Sequence, residues 1–302
     1  MLLIEVPVGT KSVFVWGDSI AYGAGDGFSG SGSLGDTSGD ALGNLGYIDQ
    51  GINEVAGLIG VNVAHSGDAN KYTADPTNTP FRRQMMALAN PTHIINENGT
   101  NDMTNATTPP LWAQSTSYAK YTVVITSANS IYICLQAGTS SASGTGPSGT
   151  GLSIADGTCM WGFLLQSAVS NAKKSMVAYG NLINFNAQLA AAQPSAKLIG
   201  VPVIPQSSST DNWATTANQS VGGGGATGNE RFYWNPKIQA LDSLAGLAAC
   251  IQPNQYLEYT WPTVTAEWVV NGTAFYVTPD GVHPNSVGDT LASPAVTASS
   301  FP

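Results

Sequence analysis

The sequence predicts an α/β protein, a parallel sheet with helices on both faces, interrupted by a small all-β segment. Two observations carry that prediction. Short apolar runs alternate with helical patterns from Lys11 to about Thr107, and again from about Ala168 onward. Strands alternating with helices imply parallel pairing, because each crossover helix must cover a sheet face. Between Leu111 and Gln166 the rhythm breaks: Lys120 and Asp156 are the only charges there, and aromatic residues recur.

The elements follow in order. Ser12–Trp16 reads as a buried strand, and Gly46–Ile59 as a helix over an apolar face of Ile48, Ile52, Val55 and Ile59. Val61–Ala64 is a second strand, Pro80–Ala89 a helix, and His93–Glu97 a third strand running into Gly99-Thr-Asn-Asp102. Tyr121–Ile125 and Ser130–Cys134 are short strands rich in branched and aromatic residues, with a Gly/Ser/Thr loop over Gly138–Gly151. Ser175–Ala192 is an amphipathic helix stopped by Pro194, and Ala196–Ile204 a strand. Pro236–Cys250 reads as a helix and Ala274–Val277 as a last strand. The expected division is therefore an α/β domain over 11–107 and 167–302, with residues 108–166 inserted at an exposed loop. The Gly-rich run Ser207–Gly228, which contains Trp213, is too long for an ordinary connector and is expected to rim the catalytic face.

Bulk properties narrow the function. Only 10% of the 302 residues are charged, against about 25% in ordinary soluble chains. The deficit is filled by Gly, Ser, Thr, Ala and Asn, a neutral hydrogen-bonding surface suited to meeting sugars outside the cell. A net charge of −9 with ten Lys and Arg argues against nucleic acid, since phosphates need clustered cations. No window approaches the ~18 apolar residues of a membrane span. Met1–Val8 lacks the basic start of a secretory signal, so the expectation is a removed signal or exit by assembly into a particle. The three cysteines match no zinc spacing; whether Cys134 and Cys159 pair is left open, and Cys250 reads as a small core residue.

The chemistry gathers around Ser19, in Val13-Phe-Val-Trp-Gly-Asp-Ser-Ile20 at the tip of the first strand. Open α/β sheets bind ligands at their strands' carboxyl ends. A serine hydroxyl needs a base to take its proton. Asp280-Gly-Val-His283 supplies an imidazole and, three residues away, a carboxylate to orient it. The backbone N–H groups of Ser19 and Gly67 and the Asn101 amide are candidate donors to an oxyanion. Each piece alone has a plain reading as turn chemistry. Their order along the chain, each at a strand end or in the last loop, is what makes acyl transfer the favoured reading. By contrast His65 and His93 read as structural, Arg82 and Arg83 as solvating a helix face, and Asp18 and Asp102 as turn organisers.

With these blocks in place the sequence resembles the SGNH (GDSL-type) hydrolases: Gly17-Asp-Ser19, Gly67, Gly99-Thr-Asn-Asp102 and Asp280-x-x-His283 stand in the family's order. The resemblance covers about 11–107 and 167–295. It implies a flavodoxin-like α/β/α sandwich, with Ser19 as nucleophile, His283 as base, Asp280 as orienter, and Ser19, Gly67 and Asn101 as the oxyanion hole. It implies no metal or organic cofactor. Two departures are Ile20, where the motif has Leu, and Ala64-His-Ser66 in place of an Asn-containing lead-in to Gly67.

The inserted segment is similar to a small β module of phage tail proteins, related to chitin-binding carbohydrate modules. Trp112-x5-Tyr118, Tyr132-x-Cys134, Gly138-Thr-Ser140, Pro147 and Asp156-Gly-x3-Trp161 carry that likeness. It implies an extracellular or virion-borne setting and leaves self-association or phage-tail assembly open. Trp112, Trp161 and Trp213 are the candidate sugar contacts, with burial in a core as the competing reading for the insert's rings. The expected activity is a serine esterase removing O-acetyl groups from a bacterial surface polysaccharide. A lipase or thioesterase, and a non-catalytic sugar-binding tail protein, are the rivals.

Overall fold

The computed structural model describes residues 7, 9–25, 46–221, 227–263 and 265–302. In chain order the first half comprises β1 (Lys11–Trp16), α1 (Tyr47–Glu54), β2 (Leu58–Asn62), α2 (Asn70–Thr73), α3 (Pro80–Ala89), β3 (His93–Asn96) and α4 (Thr100–Asn105). The segment expected to be an insertion holds β4 (Ser117–Tyr118), β5 (Val123–Ile125), β6 (Ser130–Gln136), β7 (Gly138–Thr139), β8 (Ile154–Asp156) and β9 (Cys159–Gln166). Then come α5 (Ser170–Ala192), β10 (Lys197–Gly200), β11 (Ser208–Ser209), β12 (Gln219–Ser220), α6 (Thr227–Gln239), β13 (Leu247–Cys250), α7 (Asn254–Leu257) and α8 (Ser286–Ala292).

Five strands form one parallel sheet in the order β13-β10-β3-β1-β2. Counted among themselves these strands run 2-1-3-4-5, the flavodoxin-like order, whose direction of winding reverses between β1 and β3. Side chains alternate along each strand and so feed two separate cores. Phe14, Trp16, Ile94 and Leu198 enter one core with Met86, Met103, Phe185 and Trp234 from the helices α3 to α6. Val13, Val15, Ile95 and Ile199 enter the other, with Ile48 and Ile52 of α1, Leu257 of α7 and Ala292 of α8. The three-layer sandwich thus follows from central strands whose middle residues (13–16, 94–95 and 198–199) are apolar on both faces, as sheets covered on both sides require.

Residues 117–166 form a separate antiparallel sheet, β5-β6-β9-β8, and a two-stranded β4-β7 pair. One face of it, with Val123, Ile125, Ile131, Ile133 and Leu164, merges into the core around α5. The opposite face closes over Tyr118, Tyr132, Cys134, Cys159 and Trp161. The segment is thus seated on the α/β layer through shared apolar side chains.

Several elements differ from the sequence reading. α1 stops at Glu54, where Val55 turns extended, and Ile59 lies on strand β2. The helical spacing of Val55 and Ile59 yields to a ladder from Lys11↔Leu58 to Val15↔Asn62, which also moves the second strand upstream of Val61–Ala64. The expected Pro236–Cys250 helix is two elements. α6 ends at Gln239, Leu241 takes a positive φ of 52°, and Leu247–Cys250 pairs with β10 as the sheet's outer strand. Cys250 is therefore a half-buried strand residue. Ala274–Val277 makes no strand; Phe275 has φ 57°, and Asn285 Nδ2 donates to its carbonyl where a ladder partner would stand. Cys134 and Cys159 are unpaired thiols. No described helix is long and apolar enough to cross a membrane.

Candidate active site

Ser19 follows β1 and opens a helical turn in which Ala24 N donates to the Ser19 carbonyl at 3.0 Å. Because β1 neighbours β3, with Trp16 opposite Asn96, Ser19 stands at the reversal of strand order, where such sheets open a crevice. The loop before α8 brings the base across. His283 Nε2 lies 2.7 Å from Ser19 Oγ, and His283 Nδ1 lies 2.8 Å from Asp280 Oδ2. The other Asp280 oxygen accepts the backbone N–H groups of Val282 and His283 at 2.9 and 2.8 Å, which fixes the carboxylate's rotation. Burial works against charge on Asp280, but the bonds from the imidazole and the two N–H groups outweigh it and hold its pKa below the ordinary value.

The loop carrying this pair is braced on several sides. Thr278 Oγ1 donates to the His283 carbonyl at 2.7 Å and accepts from Gly281 N at 2.9 Å. The Gly281 carbonyl accepts from Ser207 N and from Trp268 Nε1. At Gly281 φ is +79°, and a Cβ would fall 1.9 Å from the Ser207 carbonyl oxygen and 2.5 Å from the Trp213 ring, so only glycine fits. The described part of the 207–228 run therefore packs directly on the Asp280–His283 loop; its residues 222–226 lie outside the described residues.

Gly67 lies on a loop that is linked to Asn101 of α4. His65 N donates to the Gly17 carbonyl at 3.1 Å, tying the β2 exit to the β1 exit. Asn101 Nδ2 donates to the Asp68 carbonyl at 2.8 Å. Gly67 has φ +86°, a left-handed conformation that turns the chain sharply between those anchors. Among the described residues, chain neighbours aside, nothing stands within 4 Å of where its Cβ would be, so the space above Gly67 is open on their side.

Beneath Ser19 lies a buried acid pair. Asp18 Oδ1 accepts Ile20 N at 2.9 Å, the turn role expected of it, and Asp18 N faces Glu97 Oε2 at 3.4 Å. Burial raises both carboxyls, and the Asp18 charge raises Glu97 further. Glu97 escaped the sequence reading, although a carboxylate at the end of His-Ile-Ile-Asn was its signal. Asp102 does more than organise a turn: it accepts from Asn70 Nδ2, Lys71 N and Asn181 Nδ2 at 3.0, 3.1 and 3.4 Å. Burial raises its pKa to about 6 against the pull of those bonds.

Other expectations are corrected. Trp161 is fully enclosed, edge-on to Tyr118 at 5.1 Å, so its ring faces no ligand. Trp213 is buried against Gly281, with Nε1 on Ser207 Oγ at 3.1 Å. Trp112 lies in the inserted segment with Nε1 on Asp156 at 2.8 Å. None of the three lines the cavities at Gly67. His93 is buried between Thr92 and the Pro302 carbonyl, as a structural histidine should be, but His65 is exposed beside Gly67. Arg82 bonds Asp68 and the Val63 carbonyl and lies over the Trp16 ring, while Arg83 holds the Thr73 carbonyl and Gln188; neither solvates a free helix face. Among the described residues no three His, Cys, Asp or Glu gather as a metal site.

No curated protein matches the sequence. Solved structures do, at low identity. They include phospholipase A1 from Streptomyces albidoflavus NA297 (14% identity, 95% of this chain and 98% of that chain, TM-score 0.47). Others are the lipase Lip_vut3 from a goat rumen metagenome (12%, 95% and 96%, 0.46) and the psychrotrophic esterase EstA from Pseudoalteromonas sp. (12%, 94% and 93%, 0.42). The sequence model of the GDSL-like Lipase/Acylhydrolase family matches residues 13–296, nearly the whole chain, and the protein belongs to that family of ester hydrolases.

Proposed function

We propose that this protein is a serine esterase that removes short acyl groups, acetyl above all, from a carbohydrate such as a bacterial surface polysaccharide. The observation that carries the chemistry is the continuous relay of Ser19 Oγ, His283 and Asp280, with contacts of 2.7 and 2.8 Å. As Ser19 Oγ bonds to the ester carbonyl carbon, its proton passes to His283 Nε2, and Asp280 stabilises the imidazolium through Nδ1–H. The carbonyl electrons move onto oxygen, for which the N–H groups of Ser19 and Gly67 and the second Asn101 amide N–H, the first being held by the Asp68 carbonyl, are the proposed donors. The intermediate collapses as His283 returns the proton to the departing sugar oxygen, leaving acyl-Ser19. Water then attacks the acyl carbon, giving its proton to His283; breaking the Ser19 ester releases the acid and restores the hydroxyl.

The carbohydrate part of the reading is supported by the charge-poor, hydroxyl- and amide-rich composition and by the neutral amides lining the cleft beside Gly67. A setting outside the cell, a virion included, belongs to the same reading through the resemblance of residues 112–161 to phage tail modules. Hydrolysis of p-nitrophenyl acetate against the octanoate ester, with Ser19→Ala as control, tests it. The acetate rate is expected to exceed the octanoate rate and to fall at least ~10³-fold in the variant. Equal rates in both proteins would remove the esterase reading, and a strong octanoate preference would turn it to a lipase.

A further inference from the structure

None of the tryptophans expected to meet sugar lines the cavities beside Gly67, yet one aromatic ring does. Two cavities, of about 460 and 370 Å³, flank Gly67, and Tyr72 and Asn78 line both. Each lies within the ~300–1,000 Å³ of small-molecule sites. Tyr72 is 49% exposed, unusual for a large ring at the centre of a concave surface.

Its backbone is nonetheless held firmly. Asn78 Nδ2 donates to the Tyr72 carbonyl at 3.0 Å, and Tyr72 N donates to the Ala69 carbonyl at 3.0 Å. The start of its helix is fastened to Asp102 through Asn70 and Lys71, and its end through Arg83 to the Thr73 carbonyl. An exposed ring on a braced backbone loses little freedom when a ligand settles on it.

The surrounding groups, charged ones such as Lys71 and Asp75 together with neutral amides, can all hydrogen-bond to sugar hydroxyls. Asn78, Asn105 and Asn181 line the larger cavity with Thr107. One donor of each amide is engaged within the protein, on Tyr72, Asn101 and Asp102, leaving carbonyl oxygens to accept from hydroxyls. A pyranose ring presents polarised C–H bonds on one face, which suit the negative face of a phenol ring. Its hydroxyls point outward from that face, free to meet amides that line the same cavity.

The geometry points to Tyr72 as the platform on which the sugar ring of the ester stacks, and so as a specificity-determining residue of this active site. The inference rests on the esterase reading above and adds where the sugar sits. The ring carries the alcohol half of the ester across Gly67, so that the acyl carbonyl meets the loop donors while Ser19 attacks. Tyr72 itself takes no part in proton transfer.

The test compares two acetyl esters that differ in having a sugar ring, glucose pentaacetate and glycerol triacetate, on wild type, Tyr72→Ala and Tyr72→Phe. Tyr72→Ala is expected to lower kcat/KM for the glucose ester by about 10-fold, mainly through KM, with glycerol triacetate unchanged. Tyr72→Phe, which keeps the ring, is expected to restore the wild-type value. An equal loss on both esters, or no loss on either, would overturn the platform while leaving the hydrolase in place. If wild type shows no Ser19-dependent turnover of either ester, the esterase reading falls and takes the platform with it.

Discussion

Asp102 fastens Asn70: its carboxylate accepts Asn70 Nδ2 at 3.0 Å and the neighbouring Lys71 N at 3.1 Å, joining the β3 exit to the helix after Gly67. With Asn101 Nδ2 on the Asp68 carbonyl, adjacent residues of one block hold the segment that follows Gly67 at two points. The loop that carries Gly67 and the helix that carries Tyr72 are therefore both tied to α4.

Asp102→Asn puts an amide N–H where only acceptors serve, so a buried donor goes unpaired. The expected cost is about 1–3 kcal/mol at pH 7. The wild type also has a pH signature here. Burial lifts Asp102 from 3.8 to about 6, so the unfolded chain releases this proton first and the carboxyl's contribution to stability declines as pH rises from about 4 to 6. The urea midpoints of wild type and variant are expected to converge over that window; a constant gap would contradict it.

Asp280 acts with the opposite sign. Its folded pKa lies below 3.8, so its contribution to stability is present above that value and is lost as pH falls through the folded pKa. Asp280→Asn keeps the shape but disturbs the tautomer and removes the charge facing His283. Ester turnover at pH 7 is expected to fall by roughly 10³–10⁴-fold. Thermal melts of wild type and variant should differ at pH 7 and draw together in strong acid. Turnover within tenfold of wild type would exclude Asp280 as the orienting group.

The seat of the inserted sheet is testable at Gly180 in α5, where a Cβ would fall 2.5 Å from Val123 Cγ2. Gly180→Ala is expected to destabilise by about 1–3 kcal/mol through overpacking. Val123→Ala in the same chain should recover part of that loss, an interaction a double-mutant cycle by urea unfolding would measure. Additive losses would mean that the two faces do not bear on each other.

How much was legible in the sequence follows from which interactions are local. The helix Pro80–Ala89 is legible with its bounds because Pro at the first turn and the residues that follow fix a helix within their own segment. The strand before Ser19 was legible because a centre strand must be apolar on both faces. The helical spacing through Ile59 and the apolar run to Cys250 misled because edge strands take their identity from a neighbour far away in sequence.

The site divides along the same line. The sequence by itself determined the chemical groups around Ser19: residue types are written in the chain, and the blocks stand at strand ends that a parallel sheet gathers on one edge. Only the tertiary structure decided which groups face the substrate space. Whether a ring is a core residue like Trp161 or an exposed platform like Tyr72 depends on what packs over it, and Asp18 differs from Asp280 only through burial and partners. Those are sums over distant contacts, which no local pattern encodes.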